Sequence, residues 1–269
     1  MRKGFSLIEL SIVLVILGLL VGGILAGQSL IRASELRAVS TEYSRWQTAV
    51  HAFRDKYFAV PGDFSAATTV WGRLNSNSDC LTNSGAAVST SGGCDGNGDG
   101  IVPWDNSGAV GTAKEMHQFW RHLALAGLIE GAYTGLAGPT LNSAHVLPGT
   151  NSPVSKIPNA GWGAAGGGNC GLGATQCFGN LAADYNGYYV YGVATPSGGN
   201  TPINPALRPA EAWNIDTKID DGFPTSGRVR ARYTGANQCT TSASITDLTG
   251  TYNYAYSSIL CTLFFVRAF

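Results

Sequence analysis

Oxygen-bearing side chains alternate with glycine in one short segment of the chain. Asp95, Asn97 and Asp99 occupy its positions 1, 3 and 5, Gly100 follows at position 6, and the carbonyl of Ile101 falls at position 7. Calcium takes about six to eight oxygen ligands, and loops that bind it use this alternation with a glycine at the sharp turn. The spacing therefore predicts the first half of a calcium-binding loop.

The second half of this loop lacks its usual ligand. Position 12 is Asn106, whereas a calcium loop of this kind places a bidentate Glu there. Asp105 or a more distant carboxylate such as Glu115 would have to complete the coordination shell. Alternating Asn, Asp and Gly residues are also ordinary turn chemistry. The sequence alone does not decide between a structural Ca²⁺ site and a plain turn.

Cysteines supply a second set of reactive groups. The chain has six, and all of them follow the long apolar segment near the N-terminus, so they share one compartment. Many pairings are possible, and pairing of nearest neighbours is the simplest. It joins Cys80 with Cys94, Cys170 with Cys177, and Cys239 with Cys261. Closing a loop of about 15 residues stabilises a fold by about 3 kcal/mol.

Common catalytic patterns are missing from the sequence. His117 and His122 lie five residues apart on an expected helix, about 140° around its axis, whereas a zinc pair needs one face. The glycines of 166–171 fit a dinucleotide-binding turn, but no predicted strand precedes them. The chain has no nucleophile-elbow serine motif and no phosphate-binding lysine motif. We therefore expect a non-enzymatic protein without a catalytic cofactor.

Charge gives no sign of a nucleic-acid partner. The chain has 17 Lys and Arg against 17 Asp and Glu, and charged residues make up only 13% of it. This balance argues against binding driven by bulk positive charge. Asp216 and Asp220 lie four residues apart on a predicted helix, with Asp221 beside them. They could face a cation or form a polar helix end, and the second is favoured because they match no complete metal loop.

An apolar segment near the N-terminus is long enough to cross a membrane. The eighteen residues from Leu10 to Gly27 carry no charge, and with residues 5–9 the segment covers 23 residues. As a helix it would be about 35 Å long at about 1.5 Å per residue, against about 30 Å of bilayer hydrocarbon. A cleaved secretory signal would be shorter and would end in a small-x-small cleavage site, which is missing here. The pattern predicts one membrane span.

Glu9 is the unusual residue of this segment. An ionised carboxylate costs up to about 2.5–3.5 kcal/mol at the centre of a membrane helix, and less near the interface. Glu9 lies close to the start of the apolar run. A side chain this costly calls for a partner.

The first ten residues closely resemble the signal of type IV pilins and type II secretion pseudopilins. A short basic leader ends in Gly4, Phe5 and a hydrophobic run follow, and Glu9 is the fifth residue after the leader. The resemblance implies that a prepilin peptidase removes residues 1–4 and that Phe5 becomes N-methylated. It also implies that Glu9 meets the N-terminal amine of a neighbouring subunit, which would offset the cost of its desolvation.

The resemblance further implies where the chain acts and with what. Arg2 and Lys3 satisfy the positive-inside rule, so we expect a single-pass protein of the bacterial inner membrane with its C-terminal domain in the periplasm. Expected partners are membrane lipid, prepilin peptidase, an inner-membrane assembly platform, and other pilins and copies of this chain in a type IV pilus or type II secretion pseudopilus. The alternative is a minor tip pilin or adhesin that binds a surface, DNA or secreted cargo.

The helix is predicted to continue beyond the membrane. Apolar side chains recur every three or four residues, which marks one stripe of a helix. The stripe consists of Leu36, Val39, Tyr43, Trp46, Val50, Phe53 and Tyr57. We expect one helix over 5–57, with 5–27 in the membrane and 28–57 packed as a stalk on the body.

The remaining residues, 58–269, predict an α+β body. A capping box at 112–115 should open a helix, and Pro209 should start a second one. Runs rich in aromatic and β-branched residues predict strands over 188–194, 228–233 and 259–266. Residues 135–179 are expected to form a surface loop. The expected fold is pilin-like, with a long N-terminal membrane-spanning α-helix packed on an antiparallel β-sheet with Gly-rich loops.

Overall fold

A long N-terminal helix and a four-stranded sheet organise the chain. The computed structural model describes residues 6–74, 92–103, 114–138, 146–165, 187–192, 205–232, 238–242 and 249–269. The helices in these ranges are α1 (Leu7–Tyr57), α2 (Ala67–Trp71), α3 (Glu115–Leu125) and α4 (Pro209–Ile219). The strands are β1 (Ala160–Ala165), β2 (Gly187–Gly192), β3 (Val229–Arg232) and β4 (Thr262–Phe265).

Helix α1 runs for 51 residues without a break. A capping box opens it, because the Ser6 hydroxyl accepts a hydrogen bond from the backbone N–H of Ile8 and the Glu9 carboxylate accepts one from the backbone N–H of Ser6. Its last residue is Tyr57, and the C-cap Phe58 adopts the left-handed conformation with φ of 54° and donates its N–H to the Arg54 carbonyl. The structure bears out a continuous helix from Leu7 to Tyr57, whereas the predicted start at Phe5 lies outside the described residues.

The sheet is antiparallel with the strand order β1-β2-β4-β3. Trp162 pairs with Val190, and Tyr188 and Val229 both pair with Phe265 from opposite sides of β4. The predicted α+β fold with a long helix and an antiparallel sheet is therefore confirmed. Strands β3 and β4 lie within the ranges predicted from their aromatic and β-branched residues, and β2 overlaps its predicted range but begins one residue earlier.

Strand β1 corrects one expectation. The sequence predicts a surface loop over 135–179, yet Ala160–Ala165 form a buried strand. Its sequence of alternating Ala and Gly around Trp162 lacks the β-branched residues that usually signal a strand. Ala160 and Ala164 are each 1% exposed, and the Trp162 side chain is completely buried.

The core lies between the stalk half of α1, α3 and the sheet. Five stripe residues of α1 are at most 6% exposed, namely Val39, Tyr43, Trp46, Val50 and Phe53. Trp46 meets Trp120 of α3 edge to face at 5.2 Å between ring centroids, and Tyr43 stacks on Phe265 of β4 at 4.6 Å. The predicted packing of the stalk on the body of its own chain is confirmed.

Helices α3 and α4 lie where the sequence predicts them. The N-cap of α3 is Lys114 and it makes no side-chain capping bond. The predicted capping residue Thr112 lies outside the described residues. Four side chains of α3 share a fully or nearly fully buried face, namely Met116, Phe119, Trp120 and Leu123. Helix α4 begins at Pro209 as predicted.

A carboxylate in the middle of the stalk joins α1 to β1. Glu42 accepts hydrogen bonds from the indole N–H of Trp162 at 2.8 Å, the Ser155 hydroxyl at 3.0 Å and the backbone N–H of Lys156 at 3.0 Å. Two of these donors belong to buried residues, Trp162 and Ser155. Removing the carboxylate would therefore leave buried donors without an acceptor.

The first prediction tests this link. Glu42→Ala should lower the free energy of unfolding by about 1–3 kcal/mol, because the buried indole N–H loses its partner. The measurement is denaturant unfolding of the detergent-solubilised full chain, followed by tryptophan fluorescence. Glu130→Ala is the matched control, since Glu130 reaches Arg45 of α1 at 3.6 Å but is 93% exposed, and it should cause no measurable change. Equal losses in both variants would contradict the role of Glu42.

Candidate functional site

The first half of α1 exposes its apolar side chains on every face. Each Leu, Ile and Val side chain from Leu7 to Ile31 is at least 50% exposed, and Leu7 reaches 85%. The helix is long and apolar enough to cross a membrane. A soluble chain does not keep so large an apolar surface in water. This half of α1 therefore needs an apolar partner that the body of the chain does not supply.

Glu9 is the charged residue of this apolar half. Its carboxylate accepts the backbone N–H of Ser6 at 2.9 Å, and the residue is exposed. The helix N-terminus carries partial positive charge, so a carboxylate in the first turn is favourable. The processing residues Gly4 and Phe5 lie outside the described residues, and their roles stay predictions.

An ion-pair network marks the point where α1 reaches the body. Arg32 donates to both carboxylate oxygens of Glu211 at 2.7 Å and to Glu35 at 2.9 Å. Burial is the largest single effect and acts to raise the pKa of Glu211. The hydrogen bonds from Arg32 and from the Arg208 backbone N–H, together with the charges of both arginines, outweigh it and lower that pKa. The two-pronged contact fixes the start of α4 against α1 at the end of the exposed apolar half.

The predicted calcium loop has a geometry that the spacing alone did not indicate. Asp95 turns away from the loop, and its two oxygens accept the backbone N–H and the hydroxyl of Thr68, both at 2.7 Å. Asn97 and Asp99 instead make local turn contacts, because their side-chain oxygens accept the N–H groups of Asp99 and Ile101. Asp95 thus serves as a cap for α2.

Two carboxylates from other elements approach the same loop. Asp63, which follows α1, accepts the backbone N–H groups of Gly98 and Gly100 at 2.6 and 2.7 Å. Glu115, the first residue of α3, accepts the N–H of Asn97 at 2.9 Å. Glu115 was named from the sequence as a possible distant ligand, whereas Asp63 was missed because it precedes the loop by more than thirty residues.

Gly96 permits this close approach. A Cβ at position 96 would lie 2.3 Å from the Cα of Asp63, a distance that no side chain tolerates. Only glycine therefore lets the loop pack directly on the segment that follows α1.

The N-terminal segment matches the model of a known protein family. The prokaryotic N-terminal methylation motif matches residues 1–25. The chain carries the type IV pilin and pseudopilin signature. No curated protein and no solved structure shows a significant match to the chain. Pilin-like chains with this signature are precursors processed by prepilin peptidase, and they form a structural class without enzymatic activity.

The pilin signature accounts for the unpartnered half of α1. It matches the part of the chain that contains Glu9 and most of the exposed apolar surface. An apolar N-terminal helix with this signature fits anchoring in the inner membrane followed by assembly with other pilins in a filament. Membrane lipid and neighbouring helices are both apolar surroundings, so the same surface suits both stages.

Disulfides of this pilin-like chain lie in its body. Cys239 and Cys261, which are 22 positions apart in the sequence, are joined in agreement with the predicted pairing. Cys94 is disulfide-bonded, but its predicted partner Cys80 lies outside the described residues. The predicted pair of Cys170 and Cys177 also lies outside them, so both pairings stay predictions.

Asp216, Asp220 and Asp221 form an acidic group at the end of α4. Within the described ranges, they alone form a set of three acidic, His or Cys side chains with ligand atoms within 4.8 Å of one another. Asp216 is completely buried and accepts the Tyr252 hydroxyl at 2.8 Å. Asp220 and Asp221 accept backbone N–H groups that follow α4. These contacts support the polar helix end that the sequence favours.

The second prediction concerns Asp216. Burial raises its pKa to about 7, well above the value of about 3.9 in an unfolded chain. The folded chain therefore binds this proton more tightly, and stability from the protonated form is lost as pH rises from about 4 to about 7. Asp216→Asn should remove this part of the pH dependence, on the order of a few kcal/mol over that interval.

The measurement is the difference between the pH profiles of unfolding for the unchanged chain and for Asp216→Asn, both in detergent. Taking the difference removes the contribution of other buried carboxyls. Glu130→Gln is the control, because Glu130 is 93% exposed and is not among the charges that act on Asp216, so it should leave the profile unchanged. Identical profiles for the unchanged chain and Asp216→Asn would rule out the raised pKa.

Proposed function

We propose that the chain is a structural subunit of a type IV pilus or a type II secretion pseudopilus. After cleavage by prepilin peptidase it is stored in the inner membrane as a single-pass protein, with residues 58–269 in the periplasm. It then assembles through the first half of α1. The observation that carries this proposal is the continuous α1, whose first half is apolar and exposed on all faces while its second half is buried in the body.

The two halves of α1 have separate tasks in this proposal. The exposed half exchanges lipid for the helices of neighbouring subunits, which costs little because both surroundings are apolar. The stalk half carries the body, and the contacts of Glu42 and Arg32 hold the body in one orientation on the helix. Movement of the helix into a filament therefore moves the body with it.

Glu9 sets the register between subunits in this proposal. After cleavage the new N-terminus is the amine of Phe5, and its positive charge can pair with the Glu9 carboxylate of a neighbour. In an apolar filament core this pair offsets the desolvation of both charges only when the two helices are correctly aligned. The pair therefore favours one register over others.

A minor subunit at the filament tip is the second candidate function. The observation that favours it is a group of exposed aromatic side chains on the body. Trp213 of α4 is 41% exposed and meets Tyr254 at 6.0 Å between ring centroids, and Tyr256 is 44% exposed. Aromatic residues are enriched at the centres of protein interfaces. This group is therefore suited to contact a host surface or secreted cargo. The number of copies of this chain in each isolated filament separates the two candidates. A major subunit repeats along the whole filament, whereas a minor subunit at the tip is scarce.

The third prediction tests the assembly role of Glu9. Glu9→Ala should leave membrane insertion intact, because it removes a polar group from the apolar segment, and should strongly reduce filament formation. Glu9→Gln separates charge from helix capping, since Gln at the same position still accepts the Ser6 N–H. It should reduce assembly to a similar extent.

The measurement compares membrane fractions with sheared filaments from cells in which the variant is the only copy of the chain. Ser11→Ala is the control, because Ser11 lies on the same exposed helix but carries no charge. Abundant normal filaments from the Glu9→Gln chain would show that the charge is not needed. Loss of the Glu9 variants from the membrane fraction would show that Glu9 is needed for membrane insertion and not specifically for assembly.

A further inference from the structure

Exposed apolar residues lie along helix α4. Trp213 of α4 and Tyr254 meet almost at a right angle, with 6.0 Å between their ring centroids. Tyr256 and Ile259 follow a few residues further along the chain, and each of the four residues is at least 41% exposed. We call these four residues the α4 patch. Exposed apolar patches mark binding sites for proteins or for membranes.

The segment that carries three of these residues follows α4 back towards its start. The Tyr252 hydroxyl donates a hydrogen bond to Asp216, near the end of α4, at 2.8 Å. The backbone N–H of Leu260 donates to the carbonyl of Leu207, which precedes α4, at 2.9 Å. Residues 253–259 therefore connect the end of α4 to its start, and the patch extends towards the first turn of the helix.

Helix α4 runs beside α1 and in the same direction. Near its start, Glu211 accepts two hydrogen bonds from Arg32 of α1, each at 2.7 Å. At its other end, Asp220 accepts the backbone N–H of the first residue of β3 at 3.0 Å, and that residue pairs with Phe265 of β4, which stacks on Tyr43 of α1. Tyr43 lies eleven positions after Arg32, or about 16 Å along the helix, which matches the 11 residues of α4. The first turn of α4 is therefore its end nearest to the apolar half of α1.

The headgroup layer of a membrane would reach this end of α4. A bilayer is about 40–45 Å thick, of which about 30 Å is hydrocarbon, so each headgroup layer takes about 5–8 Å. This thickness equals the rise of about three to five helical residues. The proposed membrane span ends at Gly27, and apolar side chains stay exposed as far as Ile31. The layer beyond the span therefore includes Arg32, which holds the start of α4.

We propose that the α4 patch binds the headgroup layer of the inner membrane while the chain is stored there. Trp and Tyr side chains are enriched at this depth, because an apolar ring meets the hydrocarbon edge while its N–H or O–H group faces headgroups and water. Three of the four patch residues are of these two types. The inference rests on the proposed membrane storage, and it holds for a major and for a minor subunit alike.

Attachment to the same chain favours lipid as the occupant of the patch. Helix α1 holds the body beside the membrane through Arg32 and Glu211, so the patch meets lipid at a high effective concentration. Even a weak contact is then formed for much of the time, whereas a separate protein would have to compete for the same residues. The expected consequence is that the stored chain keeps its body against the membrane surface, and that entry into a filament breaks this contact.

The test uses the full chain in vesicles of phosphatidylethanolamine and phosphatidylglycerol, in which part of the lipid carries bromine on the acyl chain next to the headgroup. Bromine quenches tryptophan emission on contact. Trp213→Phe keeps an apolar ring but removes this emission, so the difference between the two chains isolates Trp213. We expect the unchanged chain to be quenched and Trp213→Phe to lose most of that quenching, because Trp46, Trp120 and Trp162 are buried in the core.

Two further variants separate binding by the patch from placement by α1. Tyr256→Ala combined with Ile259→Ala removes two patch residues and keeps Trp213 as the reporter, so it should reduce the quenching. Phe58→Ala is the matched control, because Phe58 is 93% exposed but follows α1 at the end away from the membrane. It should leave the quenching unchanged. Resistance to alkaline extraction from the vesicles reports the insertion of α1 independently for every variant.

Three results would overturn the inference. If the unchanged chain and Trp213→Phe are quenched equally in vesicles that retain both, the patch faces the periplasm, as binding of cargo or a host surface requires, and the proposed membrane storage still stands. If the quenching is undiminished when Tyr256 and Ile259 are both replaced, α1 alone places Trp213 near the lipid. If alkali extracts the unchanged chain from the vesicles, α1 does not span the membrane, and the inference fails together with the proposed storage.

Discussion

One helix has to satisfy two different surroundings, and the rest of the structure depends on this. From Leu7 to Ile31 α1 is apolar on all faces and exposed, so it is suited to lipid or to other helices. From Val39 to Phe53 only one stripe is apolar, and that stripe is buried against α3 and the sheet. Because no break separates the two halves, the position of the membrane or filament directly sets the position of the body.

A buried, uncharged histidine holds the end of the stalk. His122 of α3 is completely buried, accepts the N–H of Gly62 at 2.9 Å through Nδ1, and contacts the Cys94 carbonyl at 3.0 Å through Nε2. Burial lowers its pKa to about 3, so the ring is neutral and Nε2 donates. This single side chain joins the end of α1, α3 and the segment that leads into the loop at Asp95.

Periodic elements could be predicted from the sequence, whereas contacts between distant segments could not. The stripe of α1 and the start of α4 at Pro209 follow local rules of spacing and capping, and the structure confirms both. Strand β1 was missed because Ala and Gly dominate it, and the burial of Trp162 overrides its low strand propensity. Asp63 was missed because its approach to the loop is a product of tertiary packing, which no spacing rule describes.

We expect the apolar half of α1 to remain part of the mature chain as the continuation of the stalk. The most direct measurement is the N-terminal mass and sequence of the protein isolated from cells with and without prepilin peptidase. We expect a chain that begins at N-methylated Phe5 when the peptidase is present, and an unprocessed chain when it is absent. A mature chain that begins after Ala26, or at any other position beyond the apolar segment, would contradict it.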